Sequence, residues 1–500
     1  MTSETVNDVP SDSAGFAPVA SPSDISNAAR NRLVIALLLV STFVVFLNET
    51  IMSVAIQPLM TDLGVTASAA QWLTTAFLLT MAVVIPITGF LLQRINTRPI
   101  YMLAMSIFSA GTLICAVSPG LELLVFGRVI QDTGTAIMKP LLMTTVMTLV
   151  PPESRGKTMG NISIVMSVAP AIGPTIGGFI LTHFEWRFMF ILVLPIALAA
   201  LALGAWRMKN VSTPRSTPLD FISVILSALA FGGIVYGLSG FGEAASAGAH
   251  GMSPWIPLGV GLVTMVLFVL RQLSLQKEDK ALLDLRTFAI RNYTLSVTMM
   301  AIAMMALFGV IILLPLFLQN VLKLDPLQIG MMLLPGSLAM GLLGPVVGRL
   351  YDKWGTTRLL VPGSILVSAV LWGLTLVDQN TSVWVILAGH VTLCIGLAIM
   401  FTPLFTASLS SLPMQLYSHG SAILGSVQQV AGAAGVALFV ALMTIQTAAL
   451  TASGTEPVTA LAAGIRTGFL CGAVISLFAV VAAFFVKKPP ANPEMAGMGH

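Results

Sequence analysis

Between residues 33 and 486 the chain holds fourteen successive runs of mainly apolar residues, each near the roughly 20 residues that a helix needs to cross a bilayer. Within lipid every backbone N–H and C=O must be satisfied internally, which leaves helices or closed barrels. The runs are too long and too continuously apolar for the alternating ten-residue strands of a barrel. An all-α polytopic membrane protein is therefore expected. Charge agrees: only 9% of residues are charged, against about 25% in soluble domains, so lipid has to serve as part of the solvent.

The basic residues predict an orientation. An even number of spans puts both termini on one side. With the termini inside, nineteen of the 24 Lys and Arg residues fall in inner segments, three fall outside (Arg187, Lys323, Arg466) and two lie within a span (Arg128, Lys139). That asymmetry predicts cytoplasmic termini and a multi-pass protein of the cell (plasma or inner) membrane. Residues 1–29, rich in Ser, Pro and Ala, are expected to be a disordered cytoplasmic tail, without the apolar core of a signal peptide. The inner loop over 273–292 reads either as a short surface helix carrying Leu282, Leu283, Leu285 and Phe288 or as a solvated linker.

A weak internal repeat organises the rest. Gly89, Gln93, Arg94 and Asn96 after the second span correspond to Gly348, Asp352, Lys353 and Gly355 after the tenth. Repeated bundles with a site between them are a common build of secondary transporters. The predicted divisions are an N-terminal six-helix bundle over 30–210, two inserted helices and a cytoplasmic loop over 211–290, a C-terminal six-helix bundle over 291–488, and a tail over 489–500. Cys115, Cys394 and Cys471 lie singly in apolar runs and read as small buried hydrophobes, with no metal-ligand spacing. Gly156-Lys157-Thr158 resembles the end of a phosphate loop, but Pro151 stands where its first Gly belongs. No loop is long enough for a soluble catalytic domain. No cofactor, metal, ATP site, nucleic-acid partner or enzymatic activity is expected.

Several motifs carry a family resemblance. They are Leu47-Asn48-Glu49-Thr50-Ile51 in the first span, Gln71-Trp72-Leu73-Thr74-Thr75-Ala76 opening the second, and Arg128, Gln131, Asp132 and Gly134 in the fourth. The fifth holds Ala169, Pro170, Gly173, Pro174, Gly177 and Gly178, and Trp186-Arg187-Phe188 precedes the sixth. Over nearly the whole chain these resemble the major facilitator superfamily, specifically its fourteen-helix drug/proton antiporters. The Asn-Glu-Thr form is most similar to lincomycin-resistance-type exporters. The resemblance implies two six-helix bundles plus two linker helices, a monomer, and proton-coupled export of drug-like or amphiphilic small molecules. The alternatives are export of an endogenous metabolite or lipid, or a membrane sensor that does not transport. The family's inner loop reads Gly-x-x-x-Asp-Arg-x-Gly. Gln93 and Asn96 depart from it, so a latch is expected mainly in the second half, at Gly348, Asp352, Gly355 and Arg358.

Charge within a membrane costs about 2.5–3.5 kcal/mol or more and usually marks function. Glu49, Arg128, Asp132 and Lys139 lie well within spans, and at 3.6 residues per turn the last three fall within about 40° on one helix face. Glu49 is the expected proton carrier with Arg128 tuning it, since burial favours a neutral carboxyl and a nearby cation an ionised one. Asp132 is the alternative carrier, or a structural partner of Arg128. Lys139 either takes part or snorkels to the inner surface. Gly173 and Gly177 allow close helix approach, and Pro170 and Pro174 bend the fifth span. Together with Gly178 they are the candidate conformational motif. Candidate substrate contacts are Asn48, Trp72, Gln131, Gln319, Phe401, Gln428 and Gln429. His390 reads as a structural histidine.

Overall fold

A computed structural model describes residues 22–52, 55–65, 67–211, 220–247 and 253–487 of the 500. Its elements are helical. The first set is α1 (Pro22–Ile51), the short α2 (Ile56–Leu63), α3 (Ala67–Arg94), α4 (Thr97–Ala116), α5 (Leu121–Leu149), α6 (Arg155–His183) and α7 (Arg187–Arg207). A hairpin follows, α8 (Phe221–Ala247) and α9 (Trp255–Leu275). The second set is α10 (Arg291–Asn320), α11 (Pro326–Trp354), α12 (Thr357–Leu374), α13 (Val383–Ser410), α14 (Tyr417–Ala452) and α15 (Pro457–Ala483).

Among the described residues, twelve helices are long and apolar enough to cross a membrane. The expected count was fourteen. The two long helices outside the twelve are α5 and α6, 29 residues each. α5 carries Glu122, Arg128, Asp132 and Lys139. It packs against α1, α3 and α4 and touches α14, so part of its surface faces protein and tolerates polarity that lipid would not.

Six packing pairs of the first set recur in the second. α1 meets α5, α6 and α7, α3 meets α5, and α4 meets α5 and α7. In the same order, α10 meets α13, α14 and α15, α11 meets α13, and α12 meets α13 and α15. Across the seam α6 lies on α11 and α3 on α14. α8 packs on α9, α3 and α14, so the hairpin covers the α3–α14 side of the seam. Asp220 and Arg271 pin the hairpin with two bonds of 2.6 and 2.8 Å.

Backbones come close at the α6–α11 seam. A Cβ on Gly348 would collide with the Gly156 carbonyl, and one on Gly160 with the Gly344 carbonyl. Apolar helices gain little by leaving lipid for each other, so close packing and polar bonds must hold such a contact.

Two expectations change. α1 begins at Pro22, so the end of the predicted tail is helical; residues 1–21 and 488–500 lie outside the described residues. The loop over 273–292 forms no surface helix. It makes two short 3-10 turns, Gln276–Glu278 and Leu285–Ala289. Leu282 and Leu283 are buried, and their N–H groups donate to the enclosed Gln272 side chain at 2.7 and 3.2 Å. A fixed acceptor in α9 and a pocket for two leucines outweigh exposure of an amphipathic stripe.

Candidate functional site

The fourth-span residues face inward together, as their helical spacing requires. Arg128 and Asp132 are both buried and pair at 3.4 Å. Arg128 also donates to Gln131 Oε1 at 2.7 Å, and Gln131 Nε2 donates to Thr112 of α4 at 2.7 Å. The Phe77 ring of α3 lies 5.9 Å from the Arg128 guanidinium carbon. Gln131 is thereby committed to a structural network, which accounts for its complete burial.

Glu49 projects from α1 close enough for its charge to act on Asp132, Lys139 and Arg128. Its Oε2 is enclosed and has no hydrogen-bond partner among the described residues; the same holds for Asp132 Oδ2 and Arg128 Nε. An enclosed polar atom left unpaired costs about 1–3 kcal/mol. Several in one place mark a site whose valences are completed by a proton, water or ligand. Asn48 is buried beside Glu49 in sequence.

Thr50 continues the cluster toward α6. Its hydroxyl donates to Phe46 O and Leu47 O at 3.1 Å, and a Cβ on Gly173 would strike it. Gly173 therefore sets the approach of α6 to α1, next to the acidic residue. Gly177 is buried, and Gly178 faces open space. Pro170 and Pro174 lie within α6, but their side chains fall outside the described residues. Gly156 and Gly160 make the close approach of α6 to α11.

Lys139 does not snorkel. Its Nζ donates to Gln428 Oε1 on α14 at 2.6 Å, across the seam. A polar ladder continues from there with Thr144–Ser421 at 2.8 Å. It ends at Arg155, which is buried and donates to Met147 O at 2.9 Å, Tyr417 OH at 3.2 Å and Ser410 Oγ at 3.4 Å.

At the face carrying the basic loops, Asp352 accepts the N–H groups of Gly156 at 2.9 Å and Lys157 at 2.8 Å. It thus sits as an anion on the N-terminus of α6. Gly355 closes α11 at φ +80°, a conformation that favours glycine. The equivalent first-half residue, Gln93, makes one longer contact to Gln415 O, 3.3 Å. Arg358 is exposed in the first turn of α12.

Trp72 stacks on Tyr236 of α8 at 6.1 Å between ring centroids, so it binds the inserted hairpin to α3. Gln319 is exposed near the end of α10, Phe401 is buried and Gln429 half-buried. His390 reaches Leu333 O of α11 at 3.3 Å, a packing contact within the second bundle. Trp186 and Arg187 instead anchor α2: both donate to Asp62, at 2.8 and 3.3 Å. The Trp186 N–H chiefly, with Arg187, holds the Asp62 carboxyl below its usual range. Sequence reasoning missed Arg155, Thr144 and Ser421. A lone arginine after Pro-Pro gives no local sign that it folds inward.

Comparison with known proteins places this architecture. The Major Facilitator Superfamily model matches residues 38–436. The MFS-type transporter YcnB of Bacillus subtilis is 38% identical over 93% of this chain and 97% of its own length. The lincomycin resistance protein LmrB of Listeria monocytogenes is 38% identical over 91% and 96%. Among solved structures, the human organic anion transporter MFSD10 superposes with a TM-score of 0.64 at 14% identity, covering 91% of this chain and 99% of that one. The proton:xylose symporter XylE does so with 0.62 at 15% identity, covering 95% and 100%. At such identity these two speak for the fold alone. The matched helix sets, the seam between them and a family model spanning most of the chain make one conclusion: the chain belongs to the Major Facilitator Superfamily.

Proposed function

We propose that the protein exports drug-like or amphiphilic small molecules across the cell membrane in exchange for protons, with Glu49 carrying the proton. The observation behind this reading is the Glu49 carboxylate: one oxygen is enclosed without a partner, in the field of the Arg128–Asp132 pair and Lys139. A carboxyl so placed accepts or gives up a proton without breaking a hydrogen bond at that oxygen. The names of relatives point to the cargo: lincomycin resistance protein in Listeria and Bacillus, and multidrug resistance protein B homolog in Mycobacterium tuberculosis.

In this reading α5 and α6, each about 43 Å long at 1.5 Å per residue, complete fourteen spans. The termini and the basic face are cytoplasmic, and the protein works as a monomer driven by the proton gradient. The cross-bundle bonds running from Lys139–Gln428 to Asp352 then make this the state closed toward the cytoplasm.

The test uses purified protein in liposomes under an imposed pH gradient, with lumenal pH followed by fluorescence. Lincomycin or a cationic dye should drive proton flux in wild type and not in Glu49→Gln. Undiminished flux in the variant refutes Glu49 as carrier and moves the role to Asp132. No substrate-driven flux in wild type with either compound refutes drug/proton exchange.

A further inference from the structure

We propose that Lys139 is a positioning residue that exchanges partners between Gln428 of the opposite bundle and Glu49 of its own, so that each change of state moves the proton on Glu49. This deepens the proposed function and rests on Glu49 as the carrier.

The geometry supplies one half of the exchange. Lys139 Nζ sits 2.6 Å from Gln428 Oε1. Gln428 is almost fully buried, and its Nε2 has no hydrogen-bond partner among the described residues. The carboxamide is therefore held at that oxygen, where Lys139 binds it. Glu49 is the group of opposite charge that acts on Lys139. Arg128 has Asp132 and Gln131 already, which leaves Lys139 with a neutral amide for a partner.

The remaining charges do not compete for this role. Those facing Glu49 are Arg128, Asp132 and Lys139 on α5. α6 carries its charges at its ends (Arg155, Lys157, His183), as does α7 (Arg187, Arg207). Around Lys139, α3 ends in Arg94 and α4 begins with Arg98. α4 also holds Tyr101 and Cys115, and α14 begins with Tyr417 and His419. Of these, Tyr101 is engaged with Ser41 at 2.7 Å and Ala200 O at 2.9 Å.

The second half follows from rigid-body motion. Opening the cytoplasmic side carries α14, and Gln428 with it, away from α5. A buried ammonium cannot be left without a partner at small cost. Lys139 then turns to Glu49, the nearby carboxyl, which favours its ionised form; the proton leaves to cytoplasmic water. Closing the same side returns Lys139 to Gln428, and Glu49, relieved of its cation, takes a proton from outside. The proton is held in the state open outward and released in the state open inward, as a proton-driven exporter requires.

The test needs no cargo. Thr144→Cys with Ser421→Cys, whose native oxygens lie 2.8 Å apart, locks the cytoplasmic side shut as a disulfide. The protonated-carboxyl infrared band lost in Glu49→Gln is titrated in the locked protein. Gln428→Met should lower its midpoint by about one to three pH units, the usual effect of an adjacent opposite charge on a carboxyl. Lys139→Met combined with Gln428→Met should abolish that drop. Gln428→Leu serves as a second variant if the first fails to fold. An unmoved midpoint, or a drop that persists without Lys139, overturns the exchange while leaving Glu49 as carrier. A band that never depends on Glu49 overturns the carrier reading and the exchange together.

Discussion

Replacing Asp352 by Asn should open the seam at the face carrying the basic loops. The carboxylate takes two backbone N–H groups, 2.9 and 2.8 Å away, at the first turn of α6. Asn retains one acceptor and aims an NH2 group at the other N–H, so one bond is lost and a donor faces a donor. The negative charge at the helix N-terminus, worth about 0.3–1 kcal/mol when exposed, also goes. With about 1.5–3 kcal/mol for a hydrogen bond to a charged group, the loss is about 2 kcal/mol, or roughly 30-fold in the ratio of closed to open states. Gln93→Ala removes one neutral 3.3 Å contact, worth about 0.5–1.5 kcal/mol, and should move the ratio only several-fold. The assay is the rate of disulfide formation between Thr144→Cys and Ser421→Cys, which needs the closed seam. Equal effects of the two substitutions, or a change below about threefold for Asp352→Asn, would show that the α6 cap does not hold this face.

Two further outcomes are expected. Gly348→Leu places a side chain where the Gly156 carbonyl stands; it should prevent the same disulfide while leaving the helical circular dichroism unchanged, and normal cross-linking would refute the close approach. Asp220 bonds Arg271, which chiefly holds its carboxyl down at about 2. A depressed folded value means stability present above the unfolded value near 3.9 and lost as pH falls toward 2. Wild type should therefore lose the thermal-stability advantage it holds over Asp220→Asn as pH drops through that window, and a constant difference would sink the assignment.

The helical class and the polar stripe of the fourth span were legible in the residues because both are local. Apolar length decides whether a helix crosses lipid, and a 3.6-residue turn brings Arg128, Asp132 and Lys139 to one face before any tertiary contact forms. The difference between the two repeated loops was legible too, since Asp352 and Gly355 stand in one repeat and Gln93 and Asn96 in the other. Trp72 stood beyond such reasoning: nothing in Gln71-Trp72-Leu73 shows that Tyr236 of α8 would stack on it.

By itself, then, the sequence determined the helical class, the places of the basic residues along the chain and the identity of the charges within the apolar runs. The tertiary structure decided what those charges touch. Lys139 meets Gln428, 289 positions away, and Arg155 leaves the loops for Tyr417. The loop near Leu282 tucks beneath α9 instead of lying on the surface. The physical reason is that partners across a seam are chosen by how two bundles pack. That packing arises from glycine-lined surfaces and polar bonds between distant segments, which periodicity along one helix does not encode.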